Sequence, residues 1–439
     1  MLAGVIGLTI FWLDWEAPQV QLTPDLKVLG AKTTFTVKVQ DQKSGLKQLR
    51  VTLQQSGLVK DIISRDFPSG WLGGGREHRF EVPLTLEPKT LGLKEGPAEL
   101  IVLARDHSWR NLFNGLETTL SRQLTIDLIP LQISVRSLNH TLNQGGTGLV
   151  TYQINKDIKK SGVMVDGRWF TGYPCPGEEP GIYLAFFAVP VEVSQPFPLE
   201  VRAIDLVGNE AHQPVIYRLK QRRWRNDRIN LSEAFLQKKM PEFQVMSPDL
   251  KNIADPLEVF LVINQKWRQH DNHRVGEICR ISQAHRLWQG AFQRLKNSKP
   301  MAGFADHRTY FYQNREIDRQ VHLGQDLASL QNAEVAAANH GVVVMAEPLG
   351  IYGQTVIIDH GWGLFSMYSH LSQIKVQTGQ QVRQGEVIGN TGTTGLAGGD
   401  HLHFAMIVQG QFVDPVEWWD PHWIKDNVER QLRPAQKPQ

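Results

Sequence analysis

The sequence predicts a mainly β chain: two β-sandwich domains, a helical connector, and a compact antiparallel β domain towards the C-terminal end. Three observations predict it. Short runs of alternating apolar and polar residues fill the first half, as in "TTFTVKVQD" and "AELIVLARD", and no long stretch of 3.6-residue period interrupts them. The character changes after Tyr217, where "NLSEAFLQKKM" and "DPLEVFLVINQKWRQH" read as helices. From about Lys299, glycines punctuate short strands such as "GVVVMAE", "QTVIIDH" and "LFSMYSH", which suits a small domain with tight turns. A chain of 439 residues is also long for a single core.

Residues 1–16 come first, apolar from Leu2 to Leu13 before Asp14 and Glu16. A full membrane span needs about 20 apolar residues, so this run is expected to be the remaining part of a signal anchor. It would tether the protein to the inner membrane and place the rest in the periplasm. Residues 17–129 and 130–220 each open on a proline with an alternating strand, "PQVQL" and "PLQISV". Each also has a late strand ending in Ala-x-Asp, "LARDHSWRN" and "RAIDLVGNE". This weak repeat predicts two immunoglobulin-like domains, and "AIDLVGNEA" resembles the closing strand of bacterial modules of that kind. Such modules serve as spacers or docking surfaces, so they are the expected contact with a protein partner.

Residues 221–298 form the helical connector, with an Asn or Ser cap on its first helix and the strand-like "LWQGAFQRL" near its end. Residues 299–423 make the last domain. The polar residues 424–439, closing on "QLRPAQKPQ", are expected to be disordered.

A net charge of +3 gives no support to a nucleic-acid partner. The basic run "LKQRRWRNDR", Leu219 to Arg228, reads as a solvated segment between domains. The two cysteines, Cys175 and Cys279, fall in different domains and form neither a disulfide framework nor a metal-binding spacing. A metal here must therefore use histidine and carboxylate ligands.

The last domain supplies them. "VHLGQDLAS" holds His322 and Asp326, whose i, i+4 spacing would share a helix face, although Gly324 between them favours an extended or turning segment. "MYSHLS" ends an apolar strand on His370, and "GGDHLHF" holds His401 and His403. On a strand, residues two apart leave the same face, so His401 and His403 stand side by side while Leu402 and Phe404 point into the core. A hydrolytic zinc site needs three protein ligands and an open position for water, with further imidazoles to move protons. One carboxylate and four histidines suffice for both tasks, and spacing alone does not divide them.

The segment from about Met301 to Pro415 resembles the lysostaphin/LytM-type zinc endopeptidases of bacterial cell walls (the Peptidase M23-like family). It does so through "HLGQD", "YSHLS" and "HLH", in that order, and through the connecting "YGQTVIIDHGWGLFSMYSHL" and "VQTGQQVRQGEVIGNTGTTG". The resemblance implies that His322, Asp326 and His403 bind one zinc ion per chain. It implies that His370 and His401 flank the water and substrate as catalytic residues, with His401 the general base. It further implies peptidoglycan peptide stems as substrate. Some relatives have lost ligands and instead activate a separate wall amidase; that reading predicts missing site residues, and here all five are filled. Ala405 stands where relatives often carry an acidic residue.

The other signals read as structural. His340 and His360 are expected to sit in turns, as surface or turn residues without a direct role, and His307 is not expected to touch substrate. Tyr352 and Trp362 suit packing or a peptide groove equally. Trp418, Trp419 and Trp423 are expected to seal the domain edge. "GNTGTTGLAGG" lacks the lysine of a phosphate-binding loop.

Overall fold

A computed structural model describes residues 14–70, 74–137, 140–175, 177, 179–193 and 197–432. The expected anchor lies, up to Leu13, outside them. Among the described residues no helix is long and apolar enough to cross a membrane. The chain divides into two compact units, Met1–Pro130 with Leu206–Asn209, and Leu131–Asp205 with Glu210–Gln439.

The first unit is mainly β, with a short helical segment at Arg110–Phe113. A three-stranded sheet joins Gln19–Thr23, Thr33–Gln40 and Arg79–Leu86. A five-stranded sheet runs Val28–Leu29, Glu117–Ile126, Gly96–Asp106, Leu46–Gln55, Leu58–Asp66. The alternation seen in the sequence becomes one core: Phe35, Val37 and Val39 from the first sheet meet Leu49, Val51, Leu100 and Val102 from the second. Along Gly96–Asp106 every second residue from Ala98 is buried, and the last of that series is a carboxylate, Asp106.

The second unit begins with two four-stranded sheets. Thr147–Ile154 and Ile182–Ala188 are central in one, Ile158–Val165 and Leu199–Asp205 in the other. The late strand again ends on a buried aspartate, Asp205, here 3.0 Å from the buried Lys156 Nζ.

The connector starts as a strand, not a helix: Asn226–Asn230 pairs in parallel with His307–Tyr312. The basic run around it is less solvated than its composition suggests. Arg222 pairs with the buried Asp414, and Trp224 packs edge-on to Phe304. Helix Glu233–Met246 follows, its cap being Ser232, whose Oγ accepts from Phe235 N. Asp255 caps Pro256–Val262, which continues through a π turn into Arg268–Ile278. Leu287–Leu295 joins no sheet; it is held by Trp288 and Phe292, which pack on Trp418 at 5.4 and 5.5 Å.

The last domain is built on an antiparallel sheet in the order Lys299–Ala302, Gln325–Ala328, Leu402–Val408, Leu364–Leu371, Gly353–Asp359, Gly341–Leu349, Gln381–Val382. Both of its faces are covered. Leu402, Phe404, Met406 and Val408 share a core with Trp418 and the second sandwich. Ala405 and Ile407 face the other way, into a core with Leu236, Met240, Phe260 and Val275 of the connector helices. The polar stretch from residue 424 is ordered further than expected. Pro421–Ile424 is helical and runs into a π turn, Lys425–Glu429, because Ile424 and Val428, four apart, both bury into the core.

Candidate metal centre

The chain brings its motif residues together by sheet register. Asp326 lies opposite His403 across one strand pair, and His403 lies opposite Ser369 across the next. His322 follows strand Arg315–Val321, and His370 follows Ser369. Gly324 is required between His322 and Asp326, since a Cβ there would lie 2.5 Å from the His403 ring. Leu402 and Phe404 are buried on the opposite face, as alternation predicts.

Three ligand atoms converge. His322 Nε2 is 3.0 Å from Asp326 Oδ1 and 3.0 Å from His403 Nδ1, and His403 Nδ1 is 2.9 Å from Asp326 Oδ1. The tautomer of His322 is set, because its Nδ1, 2.8 Å from the Gly303 carbonyl, must donate there. Its Nε2 therefore offers a lone pair to the centre. His403 Nε2 is buried with no hydrogen-bond partner. If the His403 proton sits on Nε2, three lone pairs face one another; if it sits on Nδ1, a buried acceptor is left unpaired. A small cation bound by all three atoms relieves the lone-pair repulsion of the first case, with the His403 proton on Nε2. Two imidazole nitrogens and one carboxylate oxygen are a fitting set for zinc, with a fourth position left for water. Burial pushes the Asp326 carboxyl up, but His322, His401 and His403 outweigh it and hold it well below the usual range.

Two more imidazoles stand beside the centre. His401 donates from Nδ1 to the Gly399 carbonyl at 2.8 Å, and its Nε2 lies 3.6 Å from Asp326 Oδ1. Burial pulls its pKa down, while the contacts with Asp326 outweigh that and raise it. His370 donates from Nδ1 to the Thr394 carbonyl at 2.9 Å, and its ring lies 4.8 Å from that of His401. Burial, then His401 and His403, keep it well below the ordinary histidine value, hence neutral. Its backbone has φ +62°, a left-handed conformation that costs a non-glycine residue of order 1–3 kcal/mol and recurs at functional sites. In both rings a backbone carbonyl takes Nδ1, so Nε2 is the nitrogen left for chemistry in the cleft.

The five residues line a cleft of about 490 Å³, and several other walls were not foreseen. Arg308 Nη2 donates to Asp326 Oδ2 at 2.7 Å. Arg308 and Tyr310, two apart on strand His307–Tyr312, both reach the cleft, while His307 does not line it. Leu231, Phe235 and Phe260 of the connector close one side. Strand alternation around Arg308 was the available signal; nothing local marked the connector residues.

Other expectations need correction. His360 is not at the surface: it is fully buried, bonded to the His340 carbonyl and Ser366 Oγ at 2.7 Å each, with Phe292 edge-on at 4.8 Å. Burial lowers its pKa to about 4. Tyr352 lines the cleft, its ring 5.5 Å from His403 and its hydroxyl donating to Asn272 Oδ1 at 2.6 Å. Trp362 is packing, 6.4 Å from Phe186.

The last domain is similar in sequence to known proteins. Residues 320–415 match the model of Peptidase family M23. The chain is 41% identical over 97 residues to the DD-carboxypeptidase/endopeptidase Mpg of Neisseria meningitidis serogroup B, which covers 22% of each chain. It is 36% identical over 95 residues to the murein hydrolase activator EnvC of Escherichia coli, covering 22% of this chain and 23% of that one. The chain thus spans about a fifth of the length of the curated relatives it matches. The catalytic domain of lysostaphin from Staphylococcus simulans aligns at 28% identity over 30% of this chain and 98% of its own, with a TM-score of 0.26.

Proposed function

We propose that this chain, whose residues 320–415 form a Peptidase family M23 domain, is a zinc-dependent endopeptidase that hydrolyses peptide cross-links of bacterial peptidoglycan. The observation that carries the reading is the triangle of His322 Nε2, Asp326 Oδ1 and His403 Nδ1, with the His370 and His401 rings lining the same cleft beside it. Bound there, zinc would supply a Lewis acid and an acidified water.

The chain's own residues do the rest. His401 Nε2 accepts the proton of the attacking water, and the imidazolium so formed is held by Asp326 and by the Gly399 carbonyl. His370, neutral with its proton on Nδ1, offers Nε2 as a second acceptor that orients the attacking water, and the proton taken up by His401 passes on to the leaving amine. Tyr352 and the connector side of the cleft exclude water and position an extended peptide. The activities for which relatives are named, DD-carboxypeptidase/endopeptidase and peptidoglycan DD-endopeptidase, support a wall peptide as substrate. Such a substrate fits a protein exported to the cell envelope. The alternative, a non-catalytic activator of a wall amidase, has a relative named as a murein hydrolase activator on its side but would not require five intact site residues.

Purified peptidoglycan, incubated with zinc-loaded protein and analysed by mass, tests the reading. New peptide ends are expected from the parent alone. His403→Ala should lose both zinc and cleavage. His401→Ala should keep zinc and lose cleavage by about 10²-fold or more. Zinc absent from the parent, together with no new ends, would overturn the proposal.

A further inference from the structure

The N-terminal unit holds a second convergence of acidic groups, and it is not at the surface. Asp14, Asp41 and Asp106 are 1%, 3% and 0% exposed, and each offers an oxygen within 4.8 Å of those of the other two. Asp41 follows strand Thr33–Gln40, Asp106 closes strand Gly96–Asp106, and Asp14 precedes strand Gln19–Thr23. The three therefore gather at the ends of strands from both sheets.

Their hydrogen bonds do not account for them. Asp106 Oδ1 accepts from Ser108 N, Ser108 Oγ and Leu116 N at 2.7–2.9 Å. Asp106 Oδ2, sealed from solvent, has no partner, and it is the oxygen this residue has left for the cluster. Asp41 Oδ2 accepts from Gly45 N at 2.5 Å, Lys43 N at 3.2 Å and Ser44 Oγ at 3.4 Å. Asp14 accepts from Glu16 N and Ser44 N. Cations are scarce. Lys43 Nζ stands 3.8 Å from Asp14, is 45% exposed, and lies closer to Glu16. Arg110 is turned to the Asp14 backbone carbonyl and the face of Trp15. Burial, then Asp106 and Asp14, raise the Asp41 pKa. The second sandwich handles its corresponding aspartate differently: Asp205 is neutralised by the buried Lys156.

We propose that Asp14, Asp41 and Asp106 bind a calcium ion that closes one end of the N-terminal sandwich. Three carboxylates with no imidazole or thiolate are a hard-oxygen donor set, which suits calcium and does not suit zinc. A buried oxygen with no proton donor and two like-charged neighbours requires a positive charge or a proton, and calcium also accepts the backbone carbonyls and waters that complete six to eight ligands.

The test uses the full chain freed of loose divalent ions on a chelating resin and reloaded with zinc. Calcium titrated by calorimetry should bind once per chain with a Kd of about 10⁻⁵–10⁻³ M and should raise a thermal transition. Asp41→Asn and Asp106→Asn should each weaken calcium binding at least about tenfold and lose the thermal shift. His403→Ala should keep both. If an asparagine variant does not fold, terbium bound to the parent decides: emission sensitised through Trp15, displaced by calcium and lost in Trp15→Phe, supports the site. No heat, shift or emission at about 5 mM calcium would overturn it, as would a full response in both asparagine variants, or a magnesium response equal to that of calcium.

Discussion

Arg308 approaches Asp326 from the side away from the two ligand imidazoles and binds Oδ2, leaving Oδ1 to face them. The guanidinium thereby selects which carboxylate oxygen is offered and keeps the carboxylate from turning. Arg308→Gln is expected to lower zinc affinity about 10–100-fold, read by competition with a chromogenic chelator, with cleavage falling in step. Arg308 also shows where sequence reading stops. His322, Asp326, His370, His401 and His403 were legible because each sits in a short motif whose order and spacing carry meaning. Arg308 is brought to the site by strand pairing, opposite Gln320, and only the fold supplies that. His360 was misread for a related reason: "IIDHG" marks a turn, while its burial comes from Phe292, which arrives from a distant loop.

The strand Leu402–Val408 serves two environments at once, and Ala405 explains how. It faces the connector helices in a core with Leu236 and Phe260, where a carboxylate would have no counterion. Ala405→Asp should cost roughly 3 kcal/mol or more, read as a lower denaturation midpoint. The helices themselves were legible from their caps, Ser232 and Asp255, and from their patterning. Their docking was not, since an apolar helix face does not name its partner. It is fixed by contacts such as Lys239 Nζ to the Thr393 carbonyl at 2.6 Å, next to the residue that orients His370, and Asp271 Oδ2 to Ile351 N at 2.8 Å. The strand expected at "LWQGAFQRL" fails similarly: its alternating apolar residues serve aromatic packing instead of a sheet.

Within the second unit, Glu417 ties the second sandwich to the C-terminal β domain. Its two oxygens accept from Asn143 Nδ2 and Thr147 N at 2.7 Å each, and it is 4% exposed. Burial pushes its pKa up to about 7, Asp414 adds to this, and Arg222 opposes it. The folded-state pKa lies above the ordinary 4.5, so its contribution to stability is complete below about pH 4.5 and is lost as pH rises through 7. Thermal unfolding between pH 5 and 8 should show a loss of up to about 3 kcal/mol that Glu417→Gln abolishes. The covered faces of the central sheet have a further consequence. One face needs the sandwich and Trp418, the other needs the connector, and each exposes Phe, Met and Ile side chains when its cover is removed. Relatives may be compared with this domain by sequence, but it has given up portability: cut out and grafted elsewhere, it would carry two sticky surfaces instead of a ready-made catalyst.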